Sequence, residues 1–532
     1  MPLKIRNLLL IRPPEAFISD ELVPAEGRTH GAVLLPLGIL QLGSYVKGHF
    51  PGMRVHYLDL HLITKLALKN QSVPLSLKAL VEEEIRKKLA EVRPEVVGLS
   101  CALNVYADSF HDCARWVKEA APGVTVVGGG HYPSSYQKRG LEDANIDYLI
   151  VGEGEIPFSE LLTQIESGNP PAVKLLDKKR YLEDFNDFPP LDYEALGVEQ
   201  YFAFPMSSIF GSLGRTLNLL TSRGCPGRCI YCATHNVWDH GFRAQSADNV
   251  FEQVRELKAK HNVETFMFVD DNFVLDKQRV KAFCRRIIAE KMDLVWYPTS
   301  VMINALDEEV IDLMAQSGCR SMGLAVETGT RRVQQLIQKN VRLDHARRMA
   351  ERMRSVGMMV HGLFVLGFPG ETLAEVRETV AFARELRCDW CQFSIATPLY
   401  GTKMYEICRD NKYISTQDSE LVEMTHVGNI TTPDFTGADI EAVVSDANFR
   451  INFLENPNYT AGRYEKVLPV FESLARSYGD HFICRYMIRS IARRIKDKPR
   501  EDKAQAEMAA LYRSRPDYYQ RLVDTYRLEF AV

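Results

Sequence analysis

The chain has 532 residues, too many for one hydrophobic core, so we expect two or three domains. Apolar residues make up 46% and charged residues 25% of the chain, a globular balance that argues against long disordered regions. The net charge of −4 at pH 7 excludes a strongly basic protein and gives no reason to expect a nucleic-acid partner.

The cellular location is predicted from apolar runs and cysteines. No apolar run is long enough to span a bilayer, so we expect no transmembrane segment. The opening "MPLKIRNLLLIRPPEAF" lacks a small-residue cleavage site and is typical of a first β-strand. Eleven cysteines without a secretory signal indicate reduced thiols and a cytoplasmic protein.

Residues 1–165 alternate short apolar runs with helix-like stretches, which predicts βαβ units and a parallel sheet. Each run ends in Pro, Asp, Ser or Gly, residues suited to loops at the carboxyl edge of a sheet, where ligands bind in open α/β folds. We therefore predict an α/β, flavodoxin-like (Rossmann-type) doubly wound domain. The five candidate strands are 5–11, 54–60, 95–101, 124–130 and 147–153.

The rest of the chain is predicted to form three further parts. Residues 166–212 are rich in Pro and acidic groups and are interpreted as a linker. Residues 213–410 resume the strand–helix alternation and predict a partial (β/α)6 barrel with its chemistry at the carboxyl ends of the strands. Residues 411–532 predict a C-terminal helical domain, which we expect to border the barrel mouth. The six candidate barrel strands are 217–222, 265–271, 294–300, 321–328, 361–367 and 389–397.

The stretch "SRGCPGRCIYCATH" gathers three cysteines in a C-x3-C-x2-C spacing: Cys225, Cys229 and Cys232. Glycines and a proline around them allow a sharp backbone path, so the three thiolates can converge on a metal centre. A structural zinc would need a fourth ligand, for which His235 is the candidate. Disulfide chemistry leaves the third cysteine unexplained. An iron–sulfur cluster on three thiolates would keep one iron open for a cofactor.

The context of this motif resembles one protein family. A C-x3-C-x2-C motif with an aromatic residue, Tyr231, before the last cysteine, placed after the first strand of a βα barrel, is similar to the radical S-adenosylmethionine (SAM) superfamily. The resemblance implies a 4Fe–4S cluster on Cys225, Cys229 and Cys232, with SAM on the open iron. Cleavage of SAM would give a 5′-deoxyadenosyl radical, which a barrel shields from quenching.

Other barrel motifs fit the same resemblance with less specificity. "AVETGT" ends the fourth strand with Glu327, near where family members contact SAM, although Glu327 could instead cap the following helix. "DDNF" (270–273) places acidic groups at the mouth of the second strand. Cys388 and Cys391 form a lone C-x-x-C and are interpreted as buried small hydrophobic residues.

A doubly wound domain ahead of such a barrel resembles the cobalamin-binding radical SAM family, of the class B methyltransferase type. In that family the corrin lies on the carboxyl edge of the sheet and faces the barrel. Glycines there would let the backbone approach the macrocycle closely. The positions that the resemblance implies as cobalamin contacts are Pro13, Pro14, Asp59, Ser100, Gly128, Gly129, Gly130, Gly152, Glu153 and Gly154.

One segment resembles a cobalt-ligand motif but does not match it fully. "DLHLIT" (59–64) resembles a D-x-H-x-x-G loop, but Thr64 replaces the glycine and the segment follows strand two rather than strand one. We therefore expect His61 to be a packing or surface histidine. His30, in the loop after strand one, lacks the pattern as well.

The resemblance implies an enzyme that methylates an unactivated carbon, using two SAM molecules and methylcobalamin. The alternative hypothesis is a radical SAM cyclase or ring-rearranging enzyme that keeps the cobalamin domain. A third hypothesis is a non-catalytic cobalamin or redox-sensing module. The expected partners are a small-molecule or lipid-like substrate and an electron donor such as flavodoxin or ferredoxin. Nothing in the spacing of the C-terminal residues distinguishes the substrate.

Overall fold

The computed structural model describes residues 4–15, 32–70, 76–177, 180–204, 207–208, 211–414 and 427–530. The N-terminal part is a six-stranded parallel sheet in the order β2-β1-β3-β4-β5-β6, with helices on both faces. This is the predicted doubly wound, flavodoxin-like arrangement. Its strands are β1 (Asn7–Arg12), β2 (Arg54–Asp59), β3 (Val96–Ser100), β4 (Thr125–Gly129), β5 (Tyr148–Ile150) and β6 (Leu175–Leu176). Its helices are α1 (Leu37–His49), α2 (Leu60–Lys69), α3 (Leu77–Val92), α4 (Ala107–Ala120), α5 (His131–Ser135), α6 (Gln137–Glu142) and α7 (Glu155–Glu166).

The central strand β1 shows why these runs are apolar throughout. Leu9 and Ile11 belong to the core on one face of the sheet, while Leu8 and Leu10 belong to the core on the other face. A strand covered by helices on both faces needs apolar residues at every position rather than at alternate ones. The continuous run "NLLLI" is therefore the sequence of a central strand of a parallel sheet.

The predicted linker contributes more structure than expected. Its residues Leu175 and Leu176 form β6, which pairs in parallel with β5 and extends the N-terminal sheet beyond residue 165. The sequence prediction missed this strand because two residues are too few to show a periodicity. Further along lie α8 (Tyr193–Leu196) and the antiparallel pair β7 (Ser207–Ser208) and β8 (Gly211–Ser212).

The next part is the predicted partial barrel. Two three-stranded parallel sheets, β13-β12-β9 and β14-β15-β16, are joined by the bridges Trp296–Cys319 and Val301–Leu324. Its strands are β9 (Thr216–Leu219), β12 (Thr265–Phe268), β13 (Val295–Pro298), β14 (Ser321–Glu327), β15 (Met359–Leu366) and β16 (Trp390–Ile395). A short antiparallel pair, β10 (Ser222–Arg223) and β11 (Arg243–Ala244), brackets the cysteine-rich loop. Its helices are α9 (His235–Trp238), α10 (Ala247–His261), α11 (Lys277–Ala289), α12 (Glu308–Gln316), α13 (Arg331–Leu336), α14 (Leu343–Ser355), α15 (Leu373–Leu386) and α16 (Lys403–Asp410).

The barrel strands alternate between a helix-side core and an interior face. On β15, Phe364 and Leu366 are fully buried in the core under the helices. Leu363 and Val365, between and beside them, remain partly exposed. Successive side chains of a strand point to opposite faces, so this pattern marks a barrel with an accessible interior.

The C-terminal part is helical, as predicted, but most of it does not lie where we expected. Its helices are α17 (Gly437–Phe449), a π-helical turn (Arg450–Leu454), α18 (Pro457–Thr460), α19 (Tyr464–Ser477), α20 (Phe482–Arg494), α21 (Lys498–Ser514) and α22 (Pro516–Tyr526). Asn452 exchanges two hydrogen bonds with the backbone of Cys391, at 2.7 Å each, and Asn456 and Asn458 bind Asp389. Asp389 and Cys391 lie at the amino end of β16, so these contacts hold the bundle on the side of the barrel opposite the mouth.

Among the described residues, no helix combines the length and the apolar character needed to cross a bilayer. All eleven cysteines lie within the described ranges and are free thiols. Cys388 and Cys391 are buried against each other in the helix-side core, as the sequence indicated.

Candidate active site

The three clustered cysteines lie on the loop between β10 and β11, beyond the carboxyl end of β9. All three are partly buried free thiols. A Cβ atom at Gly227 would lie 3.3 Å from Cys225 Sγ and 3.9 Å from Cys229 Sγ, so the missing side chain leaves space between two of the thiols. Gly224 has a φ of +85°, and a Cβ atom there would come within 2.1 Å of the Gly241 carbonyl oxygen. Only glycine fits that position.

Two neighbouring carboxylates anchor this loop. Asp271 accepts a 2.8 Å hydrogen bond from the Gly224 backbone N–H and a 3.3 Å bond from the Thr234 hydroxyl. Asp270 is fully buried and accepts from the Thr221 backbone N–H and from the hydroxyls of Thr221 and Ser222. The acidic pair "DDNF", which the sequence placed at the mouth of the second strand, therefore holds the start of the cysteine loop.

The far side of the loop is held by backbone bonds. Ile230 donates its N–H to the carbonyl of Ile337 at 3.1 Å, and its own carbonyl accepts from Met404 at 2.8 Å. The loop is thus fixed between the turn after α13 and the first turn of α16, and its thiols are held in place by the fold.

His235, the candidate fourth ligand of a zinc ion, is bound within the cysteine loop through its Nε2 atom. Its Nε2 atom lies 3.2 Å from the carbonyl oxygen of Cys225, and its ring packs 4.0 Å from that of His240. A nitrogen that donates to a carbonyl oxygen has no lone pair for zinc. Among the described residues, no three His, Cys, Asp or Glu side chains meet as ligands of one metal ion. A cluster binds each thiolate to a different iron, so its ligands need no common point.

Glu327 ends β14 in an arrangement that the sequence only partly predicted. It has a φ of +67°, a conformation that is costly for a residue other than glycine, and the pairing of β14 with β15 shifts register just before it. Its Oε1 atom accepts 3.0 Å and 3.1 Å hydrogen bonds from the Tyr231 hydroxyl and the Lys339 ammonium. The first helix after Glu327, α13, is capped by Thr330 instead, so the capping alternative is not realised.

Tyr231 connects the cysteine loop to this group. Burial raises the pKa of its phenol, so the hydroxyl stays protonated and donates to Glu327. Its ring lies 5.4 Å from that of Phe368, in the turn after β15. Tyr231, Glu327 and Lys339 thus form one polar group beside the cysteines, able to bind the amino, carboxylate or hydroxyl groups of a ligand.

A cavity of about 410 Å³ lies between the carboxyl edge of the N-terminal sheet and the barrel. This size falls within the range of cofactor pockets. The barrel side contributes Asn218, Arg223 and Trp238. The sequence-predicted residues that line it are Ser100, Gly128, Gly129, Gly130, Gly152, Glu153 and Gly154.

The three consecutive glycines serve three different purposes. A Cβ atom at Gly128 would lie 2.8 Å from the Phe110 ring, so this glycine lets α4 pack closely. Gly130, with a φ of +99°, brings its backbone against Cys101. Gly129 has no atom within 4 Å of its Cβ position, so it leaves open the space in front of the sheet edge. The edge is therefore shaped to let a flat ligand approach the backbone.

The other predicted cobalamin contacts are not part of the cavity wall. Pro13 and Pro14 are buried at the end of β1 and do not line it. Asp59 accepts hydrogen bonds from the Tyr201 hydroxyl at 2.6 Å and from Arg12 at 3.2 Å, and it caps α2. Its carboxylate is engaged by the protein itself, so Asp59 stabilises the domain instead of facing a ligand.

His61 is a packing residue, in agreement with the sequence reading. Its Nδ1 atom accepts a 3.1 Å hydrogen bond from the backbone N–H of Glu15. Burial, reinforced by the Arg12 charge, lowers the pKa of His61 to about 3, so the ring is neutral. It does not line the cavity. His30 lies outside the described residues.

Comparison with known families separates the chain into two matches. Residues 219–383 match the Radical SAM superfamily, and residues 27–162 match the B12 binding domain. The chain belongs to the cobalamin-binding radical SAM family. It is therefore an enzyme whose cofactors are a 4Fe–4S cluster, SAM and cobalamin.

Individual relatives carry the names of methyltransferases and of a cyclase. An uncharacterized methyltransferase of Pyrococcus horikoshii is 26% identical, over 78% of this chain and 86% of its own length. Cytidylyl-2-hydroxyethylphosphonate methyltransferase of Streptomyces wedmorensis is 27% identical, over 72% of this chain and 79% of its own. An anaerobic magnesium-protoporphyrin IX monomethyl ester cyclase of Rubrivivax gelatinosus is 24% identical, over 67% and 66%.

Solved structures also share the fold. The cobalamin-dependent SAM radical enzyme OxsB aligns with a TM-score of 0.63 at 13% identity, over 98% of this chain and 80% of its own. The radical SAM methyltransferase TsrM of Kitasatospora setae aligns with a TM-score of 0.58 at 18% identity, over 82% and 84%. The three-part architecture of this chain is thus the architecture of known members of the family.

The sequence analysis assigned no specific role to three residues of the site. Asp271 anchors the loop, Lys339 pairs with Glu327, and Arg223 lines the cavity directly before the cysteines. Asp271 was visible as one of two adjacent acids after an apolar strand, but its partner could not be read from the sequence. Lys339 and Arg223 carry no spacing signal, because Lys339 pairs with Glu327 across an intervening helix and Arg223 binds residues of the other domain.

Gly129 provides a test of the cavity. In the Gly129→Leu variant, the new side chain would project into the open space before the sheet edge, so we expect cobalamin retention to fall roughly 100-fold or more. The measurement is the absorbance of cobalamin that remains with the protein after gel filtration. Gly123→Leu is the matched control, because Gly123 also has no atom near its Cβ position but lies at the opposite end of β4. Equal retention in the two variants would contradict this placement.

Asp271 provides a test of the loop anchor. The Asp271→Asn change replaces a charge-assisted hydrogen bond, and a loss of ~2 kcal/mol corresponds to roughly 30-fold faster loss of the cluster to an iron chelator. The readout is the decay of cluster absorbance in anaerobically reconstituted protein. Asp344→Asn, at an exposed position of α14, should leave the decay unchanged. A wild-type decay rate in Asp271→Asn would refute the anchoring role.

Proposed function

We propose that this protein transfers a methyl group to an unactivated carbon of a small-molecule, lipid or natural-product substrate. When bound, the cluster and SAM supply a carbon-centred radical, and cobalamin supplies the methyl group. The observation that carries the proposal is that one residue, Arg223, both lines the cavity and stands two positions before Cys225. A methyl donor in the cavity and a radical source at the cysteines would then act on one substrate position.

The residue roles follow from the contacts of the site. Cys225, Cys229 and Cys232 hold the cluster, since the loop presents three thiols with a glycine gap between two of them. Tyr231 and Glu327, with Lys339, contact SAM. The cobalamin contacts are the residues of the sheet edge that line the cavity: Ser100, Gly128, Gly129, Gly130, Gly152, Glu153 and Gly154.

The barrel interior supports a substrate that is uncharged where it reacts. On β15, His361, Leu363 and Val365 are partly exposed and alternate with the fully buried Phe364 and Leu366. Burial lowers the pKa of His361 to about 4, and no charged group contributes to this shift. A neutral imidazole between aliphatic side chains suits an apolar or lipid-like molecule with a single polar group.

A cyclase or ring-rearranging reaction is the second candidate, favoured by the similarity to the Rubrivivax cyclase. It would use the same cluster loop and cavity. The two reactions differ in the mass of the product, because only methyl transfer adds a carbon.

The test of methyl transfer uses SAM with a deuterated methyl group. Reconstituted anaerobic enzyme is supplied with this SAM, a reductant and a small-molecule extract of a strain that lacks the gene, and products are analysed by mass spectrometry. We expect a product that carries the deuterated methyl, together with 5′-deoxyadenosine. Cys229→Ser should abolish both, whereas Cys408→Ser, at a buried cysteine outside the loop, should preserve both. Deoxyadenosine without a labelled product would favour the second candidate.

The electron donor is proposed to be a small acidic redox protein such as flavodoxin or ferredoxin. Around Cys229 lie Arg228, on the exposed side of the cysteine loop, and Lys403, at the start of α16. Arg331 begins α13 and Arg342 directly precedes α14, and both are exposed. The chain as a whole is acidic, so this basic surface is local. Opposite charge on a partner would bring its redox group towards the least-covered side of the loop.

Charge reversal tests this surface. In Arg342→Glu, the rate of flavodoxin-driven SAM cleavage relative to the dithionite-driven rate should fall roughly 10-fold at low salt, because steering is lost. Arg521→Glu, an equal change of charge on exposed α22, should leave this ratio unchanged. Equal ratios in both variants would place the donor elsewhere.

A further inference from the structure

Arg223 is a charged side chain that is almost fully buried in the middle of the cofactor region. It is the second residue of β10, and its side chain is 2% exposed. The planar guanidinium lies 5.1 Å from the Trp238 ring and 5.0 Å from the Phe185 ring. Such a group is stable in the interior only if acceptors surround it.

The acceptors of Arg223 all come from the N-terminal domain. Its Nη2 atom donates to Glu155 at 2.8 Å and to Gln41 at 2.6 Å, and Nη1 lies 3.5 Å from Glu153. Arg243, on the paired strand β11, forms a second ion pair with Glu153. Two arginines of the barrel thus meet two glutamates of the doubly wound domain, and the charges of the network balance.

The network is nevertheless incomplete. Within the described part of the chain, the buried Nε atom of Arg223 has no hydrogen-bond partner, and Nη1 has only the 3.5 Å ion pair with Glu153. Arg223, Gln41, Glu153 and Glu155 all line the 410 Å³ cavity. Buried donors without acceptors are costly, so a ligand oxygen that reaches this wall would stabilise the folded protein.

The charge balance indicates which oxygen fits. A phosphate or carboxylate would bring a third negative charge beside Glu153 and Glu155, which already neutralise Arg223 and Arg243. A neutral carbonyl oxygen accepts from the Nε and Nη1 N–H groups of Arg223 without that repulsion. The amide side chains at the edge of a corrin ring have this chemistry.

The same residue is directly connected to the cluster loop. Gly224 alone separates Arg223 from Cys225, and β10 pairs with β11 at the other end of the loop. A ligand that fixes Arg223 from the cavity side therefore also restricts the backbone that presents the thiols.

We propose that Arg223 couples the two cofactor sites, so that cobalamin bound in the cavity through its peripheral amide carbonyls stabilises the iron–sulfur cluster on the adjacent loop. Arg223 acts here as a positioning residue. The proposal rests on the placement of cobalamin given under the proposed function. Linkage requires the reverse effect too: the cluster must tighten cobalamin binding by the same factor.

The experiment measures cluster loss in anaerobically reconstituted, full-length protein. An iron chelator is added with and without hydroxocobalamin, and the decay of cluster absorbance is followed. We expect cobalamin to slow the loss about tenfold in the wild type, which corresponds to a rise of about 1.4 kcal/mol in the barrier to cluster loss. In Arg223→Lys, which keeps the charge but loses the planar set of donors, the ratio of the two rates should fall close to one.

Arg279→Lys is the matched control. Arg279 is also buried and bonds the carbonyl of Thr221 at 3.3 Å, but it does not line the cavity. Its substitution can loosen the loop, yet the effect of cobalamin on the decay should persist. Gln41→Leu, which removes a partner of Arg223 from the other domain, is the second test variant and should reduce the ratio in part.

The outcomes separate the coupling from the proposed function. A wild-type protein that retains cobalamin but shows equal decay with and without it overturns the coupling alone. The coupling is also overturned if the ratio of the two decay rates is undiminished in Arg223→Lys or, should that variant fail to fold, in Gln41→Leu. A wild-type protein that retains no cobalamin overturns both proposals. In the reverse measurement, cobalamin should bind more tightly to protein that carries the cluster than to protein that lacks it.

Discussion

The contact on which the rest of the site depends is the buried ion network between the two α/β units. Arg223 and Arg243 of the barrel meet Glu153 and Glu155 of the doubly wound domain. Removal of one partner would leave an unpaired charge in the interior, at a cost of ~3–5 kcal/mol. Because the network lines the cavity and borders the cysteine loop, the same contact fixes the distance and orientation between the two cofactor regions.

Much of the fold could be predicted, since parallel strands covered on both faces are continuous apolar runs. The runs at 5–11 and 361–367 correspond to β1 and most of β15. The two residues of β6 gave no periodic signal, and they became visible only through their pairing with Leu149 and Ile150. The expected place of the C-terminal part at the mouth holds for α17, whose Ile440 lies against Gly367 after β15, but not for the helices held at the amino end of β16. A helical pattern shows which face is apolar, not which strand end it covers.

The functional site likewise combines features that the sequence predicts with features that it does not. The cysteine spacing and the glycines around it are local features, and they predicted a thiolate loop directly. Asp271 and Arg223 contribute through partners that are distant in the chain, and Lys339 through a partner on the other side of a helix, so their roles required the three-dimensional arrangement. Asp59 shows the converse: its position after a strand favoured a ligand contact, but Tyr201 and Arg12 take up its carboxylate.

Asn452 covers part of an open strand edge of the barrel. An incomplete barrel ends in a strand whose free peptide groups could recruit the edge of a second molecule and start aggregation. At Cys391 the carboxamide of Asn452 takes the place of a neighbouring peptide, accepting from the N–H and donating to the C=O. One side chain thus blocks pairing with another strand at that position. The barrel can therefore remain open, without a seventh strand, and accommodate a large ligand.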